Sequence, residues 1–86
     1  MVKSAARGRK TLSHEAAFGR VLREIRRRRS LSQEELAAKS GYHRTYIGLL
    51  ERGEKSPSLR TLFNLAETLE VNPSAIVRNV EKLAGT

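Results

Sequence analysis

The segment SQEELAAKSGYHRTYIGLLERG, from Ser32 to Gly53, constrains this chain more than any other, because it holds two short helices with their own start and stop signals. Ser32 with Glu35 three residues later forms a capping box, in which hydroxyl and carboxylate each satisfy a backbone N–H that the first helical turn leaves unpaired. A helix therefore starts at Gln33, with Leu36 and Ala37 facing inward. Gly41 supplies the left-handed conformation that ends a helix and permits a sharp bend. A further helix runs from about His43 to Glu51 or Arg52, and Gly53 terminates it. Ala37 is small where the two helices cross, and Ile47 and Leu50 pack the second onto the first.

The surrounding chain reads as helix throughout. Phe18, Leu22 and Ile25 recur at i, i+4 and i+7 after Ser13, a fair N-cap, so a first helix should run to near Arg29. Ser56-Pro57-Ser58 breaks the pattern. A fourth helix from Leu59 to Leu69 presents Leu59, Leu62, Phe63, Ala66 and Leu69 as a broad apolar face. Asn72 as N-cap and Pro73 at the first helical position open a fifth helix reaching about Leu83. No stretch shows a strand period or hairpin turn. The expected fold is a compact, all-α, five-helix bundle over residues 13–86. Residues 1–12 carry almost no large apolar side chains and read as a disordered, flexible basic arm, either a plain terminus or one that reaches a neighbouring groove.

With no cysteine among 86 residues, neither a disulfide nor a thiolate metal site can staple so small a core. His14 and His43 are too far apart for a helical metal pair, so no metal or other cofactor is expected. Glu34 and Glu35 are adjacent and diverge on a helix, and no catalytic constellation remains; the chain reads as a binding module, not an enzyme. No apolar run approaches a membrane span or a secretory signal, which predicts a cytoplasmic protein without a membrane partner.

The net charge of +8 is unevenly placed. Lys3, Arg7, Arg9 and Lys10 occupy the arm, six arginines with only two acids lie between residues 15 and 30, and the rest of the chain is neutral. This asymmetry suits a polyanion, since Lys and Arg that neutralise phosphates release counterions. The Arg27, Arg28 and Arg29 run is read as phosphate-binding, the alternative being a solvated helix end whose charges complement the helix dipole. After Gly41, the outward residues are His43, Arg44, Thr45, Gly48 and Leu49, on a helix of a size that fits the major groove. Arg44 can fork onto guanine, Thr45 can hydrogen-bond or touch a thymine methyl, and Leu49 can pack on a methyl; His43 completes the base-reading set. Gly48 would let that helix approach closely. In the fifth helix, Ile76, Val77, Val80 and Leu83 either complete the core or form a two-fold dimer seam.

The stretch SQEELAAKSGYHRTYIGLLERGEKSPSL resembles the Cro and phage-repressor (XRE-like) helix-turn-helix family, in its Q-x-x-x-A-x-x-x-G spacing, the isoleucine six residues after the glycine, and the following E-R-G with P-S-L. The resemblance covers residues 18–77, with the motif at 33–52, and the HRTYIG run is similar to restriction-modification controller proteins. It implies a homodimeric regulator on a palindromic double-stranded DNA operator, blocking or touching RNA polymerase and controlling a neighbouring operon. It further implies that Gln33 contacts phosphate or buttresses the reading helix, that Arg44, Thr45 and Leu49 face bases, and that Arg26 forms a structural ion pair with Glu51. Tyr42 is expected to be partly buried and Tyr46 to abut the duplex backbone. The alternative is an antitoxin or adaptor module that mainly docks a partner protein.

Overall fold

The computed structural model describes residues 12–85, so the flexible basic arm expected at residues 1–12 falls almost wholly outside the described residues. Five helices follow in order: α1 His14–Arg28, α2 Gln33–Ser40, α3 Arg44–Glu51, α4 Leu59–Leu69 and α5 Pro73–Ala84. There is no strand among the described residues. Side chains begin three of the helices. Ser13, Ser32 and Ser58 each accept the backbone N–H three residues on, and Glu35 answers Ser32 to close the capping box. The other two starts differ. His43 and Asn72 occupy cap positions without a side-chain capping bond, so α5 relies on Pro73, whose missing N–H removes one of the donors a cap would serve. Gly41 adopts φ 82° and its N–H reaches the Ala37 carbonyl, which bends the chain between α2 and α3.

Packing follows from these short rods. α1 lies against α3 and α5, α2 against α3 and α4, and α4 against α5. One core joins them: Phe18, Val21 and Leu22 from α1, Leu36 and Ala37 from α2, Ile47 and Leu50 from α3, Leu65, Ala66 and Leu69 from α4, and Ile76 from α5. Gly19 is the point of closest approach. A Cβ there would stand 2.4 Å from the Leu50 carbonyl oxygen and 2.5 Å from that of Glu51, so only glycine lets α1 cross the end of α3 at this distance.

Two sequence expectations need correction. α4 is rotated about its axis relative to the apolar face read from its sequence: Leu65 is buried, whereas Leu59 and Phe63 are 72% and 55% exposed. The apolar residues span a wider arc than α2 and α5 together cover, and the core takes the Leu65 side. Ile76 lies wholly inside the single chain and so cannot lie on a seam surface; Val80 is half-buried against the core, while Val77 and Leu83 are exposed.

Candidate nucleic-acid interface

α3 is held at its C-terminal end by a charged clamp. Arg26 Nε donates to Glu51 Oε2 at 2.6 Å and Nη2 to Oε1 at 3.0 Å, a two-pronged pair that only the planar guanidinium can make. Arg26 Nη1 also donates to the Leu31 carbonyl at 2.8 Å, and Gln33 Nε2 donates to Glu51 Oε1 at 2.9 Å. One carboxylate thus ties α1, the start of α2 and the end of α3 together. The hydrogen bond from Arg26 to Glu51 holds the guanidinium charged above its usual range, an effect that burial opposes and the charge of Glu51 reinforces. Removing one partner of a pair this shielded leaves a charge with nothing to compensate it.

Gln33 therefore buttresses the end of α3, and its second amide N–H remains for another acceptor. On α3 itself, Arg44 and Thr45 are exposed in the first turn, Leu49 is half-buried one turn on, and His43 is exposed at the cap. Among the described residues Arg44 has no ion-pair partner. Gly48 is not open to an incoming surface as its position suggests. It is covered, because the Arg52 guanidinium lies across it; a Cβ on Gly48 would meet Arg52 Nη1 at 3.1 Å. Arg52 was missed in the sequence, although Arg44, Gly48 and Arg52 repeat at four-residue spacing and so share one helix face. Arg52 is exposed and pairs with Glu54 at 3.1 Å.

The other expected phosphate contacts are dispersed. Arg27 is exposed, Arg28 pairs with Glu24 at 3.2 Å, and Arg29 donates to the Glu70 carbonyl at 3.1 Å, where it closes the end of α4. Arg20 and Arg23 share the exposed face of α1 with Arg27 and Arg28, so this surface is more basic than the Arg27 to Arg29 run alone suggests. Tyr42 and Tyr46 are both half-buried, ring centroids 5.1 Å apart, and both hydroxyls reach Thr61 Oγ1 at 3.2 Å. Tyr46 thus has an internal partner in α4 while standing directly after the exposed Arg44 and Thr45. Asn64 Nδ2 donates to the Ser40 carbonyl at 2.9 Å, so α4 braces both sides of the Gly41 bend. Nothing in the sequence pattern singles out Thr61 or Asn64, because both contacts join residues distant along the chain.

A bend of this geometry, with two short helices and an exposed N-terminal turn on the second, is what the helix-turn-helix family profile describes, and that profile matches residues 22–76. The chain belongs to the XRE-type helix-turn-helix family. Members of this family are DNA-binding regulators. The control protein C.SmaI of Serratia marcescens is 47% identical over 58 residues, covering 66% of this chain and 69% of that protein. The restriction-modification controller protein C.AhdI of Aeromonas hydrophila superposes with a TM-score of 0.69 at 43% identity, over 71% of this chain and 92% of that one. The controller C.Esp1396I, solved as a tetramer with its natural 35 base-pair operator, superposes with a TM-score of 0.76 at 27% identity, over 87% and 99% of the two chains. These controller relatives are regulators rather than enzymes. Among the described residues, no helix of this family member is long and apolar enough to cross a membrane.

Proposed function

We propose that this chain is a sequence-specific regulator of transcription that binds a palindromic operator as a homodimer and controls a restriction-modification operon. The observation that carries the reading is the exposed first turn of α3, where Arg44 and Thr45 project from a helix whose far end is clamped by Arg26, Glu51 and Gln33. An exposed guanidinium fork without an internal partner suits the O6 and N7 acceptors of guanine, and Leu49 and Thr45 suit neighbouring thymine methyls. Arg27 and the free amide proton of Gln33 serve phosphates, which position the protein without reading sequence. The likeness to C.SmaI and C.AhdI supports the operon assignment. Bound at a promoter, such a protein blocks RNA polymerase or touches it.

The dimer is supported by an exposed apolar face rather than by α5 alone. Leu59 joins two shallow grooves, one lined by Phe63 and Val71 and the other by Val77 and Val80. Arg60 and Glu67 also line the first groove, about one helical turn before and after Phe63. In a two-fold contact with the α4 helices antiparallel about Phe63, Arg60 of each copy faces Glu67 of the other, so the face complements itself. A dimer that reads a palindrome needs its two α3 helices about one DNA turn, roughly 34 Å, apart.

Selection from random duplexes provides the operator, and Arg44→Ala tests the reader. It should lose about 1–3 kcal/mol on the selected site and relax preference at one position of each half-site. Equal loss on every duplex would sink the assignment.

A further inference from the structure

Thr61 is buried in α4, outside the charged clamp and the reading face, yet three oxygens converge on its hydroxyl. Oγ1 lies 3.2 Å from the Tyr42 hydroxyl, 3.2 Å from the Tyr46 hydroxyl and 3.0 Å from Ser58 Oγ. A threonine hydroxyl has one proton and two lone pairs, so three such neighbours saturate it. Tyr42 and Ser58 donate into the two lone pairs, which leaves the Thr61 proton for the Tyr46 oxygen. Tyr46 then keeps its own proton for an acceptor outside the cluster. Ser58 Oγ also accepts the Thr61 backbone N–H at 3.0 Å, so Ser58 cannot turn away from the hub without uncapping α4.

The location of this hub gives it a task. The clamp of Arg26, Glu51 and Gln33 grips the end of α3, but its beginning has no side-chain cap, because His43 makes no capping bond. Arg44 and Thr45 stand in that uncapped turn, directly before Tyr46. A helix of eight residues has little stability of its own, and its first turn frays unless something outside it holds on. We infer that Thr61 is a positioning residue for base reading, whose hydroxyl pins Tyr42 in the bend and Tyr46 on α3 to α4 and thereby fixes the turn that carries Arg44 and Thr45. This inference rests on the DNA-binding reading above and adds to it the element that sets the angle of the reading turn.

The test compares the full chain with Thr61→Val, which keeps the shape and removes the hydroxyl, and Thr61→Ser, which restores it. Each is titrated with the duplex selected by the wild-type protein and with an unrelated duplex of equal length, across a salt series. Thr61→Val should bind the selected duplex about threefold to tenfold more weakly, the range of one net hydrogen bond, with the unrelated duplex and the salt slope unchanged. Thr61→Ser should recover most of the difference. Equal weakening on both duplexes, or none, overturns the inference. Tyr42→Phe provides a second arm that leaves the packing of α4 intact: it should lower the same ratio of affinities, and wild-type discrimination in that variant overturns the inference even where Thr61→Val fails to fold. A wild-type protein that selects no duplex overturns the DNA-binding reading as well, and that outcome is visible before any variant is made.

Discussion

Gly19 and Gly48 are both helical glycines, and the structure gives them opposite roles. At Gly19 an added methyl would collide with the backbone carbonyls of Leu50 and Glu51, neither of which can move without shifting the end of α3 and the Arg26 clamp. At Gly48 the nearest obstacle is the tip of Arg52, a flexible side chain that can swing aside. Alanine is also the better helix former by about 0.5–1 kcal/mol. Gly19→Ala should therefore destabilise the fold by roughly 2 kcal/mol or more, through overpacking against backbone. Gly48→Ala should be neutral or stabilising by up to about 1 kcal/mol. Urea unfolding of both variants at one protein concentration checks the pair. A stable Gly19→Ala protein would mean that α1 does not approach α3 this closely. Sequence alone does not separate these glycines, since both sit in apolar helical patterns; the difference lies in what happens to stand opposite.

Helix boundaries were legible in the sequence wherever the signal is local. Ser13, the Ser32 and Glu35 box, and the bend at Gly41 each work through groups only a few residues apart, and each is found in place. Orientation was less legible. In α4 the apolar set of Leu59, Leu62, Phe63, Leu65, Ala66 and Leu69 covers more of the helix circumference than the core needs, and periodicity cannot say which edge stays outside. The polar side offered no better guide, because Thr61 faces inward towards two tyrosines, one from the bend after α2 and one from α3. The weakest boundary is the start of α3, where histidine stands in a position that serine, aspartate or asparagine fills better. His43→Ser should add a side-chain acceptor for the first-turn N–H groups and stabilise the protein by about 1 kcal/mol. For a domain of this size that corresponds to a rise in Tm of about 4–8 °C. Circular dichroism melts at fixed protein concentration measure it, and an unchanged or lower Tm would show that the hub at Thr61 already holds this turn as firmly as a cap does.

At the scale of the whole molecule, the proposed operator reading asks for more specificity than one small chain supplies. On the proposed reading, a single α3 offers Arg44, Thr45 and Leu49 to the bases, enough contacts to favour a short half-site but not to pick one operator from a genome. Joining two copies makes the second half-site an intramolecular target, which raises affinity for the paired sequence without any new contact. The proposed seam on Leu59, Phe63 and Val77 is well suited to this use because it costs the protomer little. Phe63 is more than half exposed and lies outside the buried core, so replacing it should disturb association far more than folding. Phe63→Asp would place two like charges close to the two-fold axis, where desolvation strengthens their repulsion. In sedimentation runs this variant should be monomeric at concentrations where the wild-type chain is a dimer, with a protomer Tm within a few degrees of the original. Binding to an isolated half-site should persist. Binding to the full palindrome should fall on the order of a hundredfold, towards half-site affinity, since the linkage between the two reading helices is lost. A variant that stays dimeric would place the seam elsewhere on the molecule, whereas one that is monomeric yet binds the palindrome as tightly as before would show that the DNA itself assembles the pair.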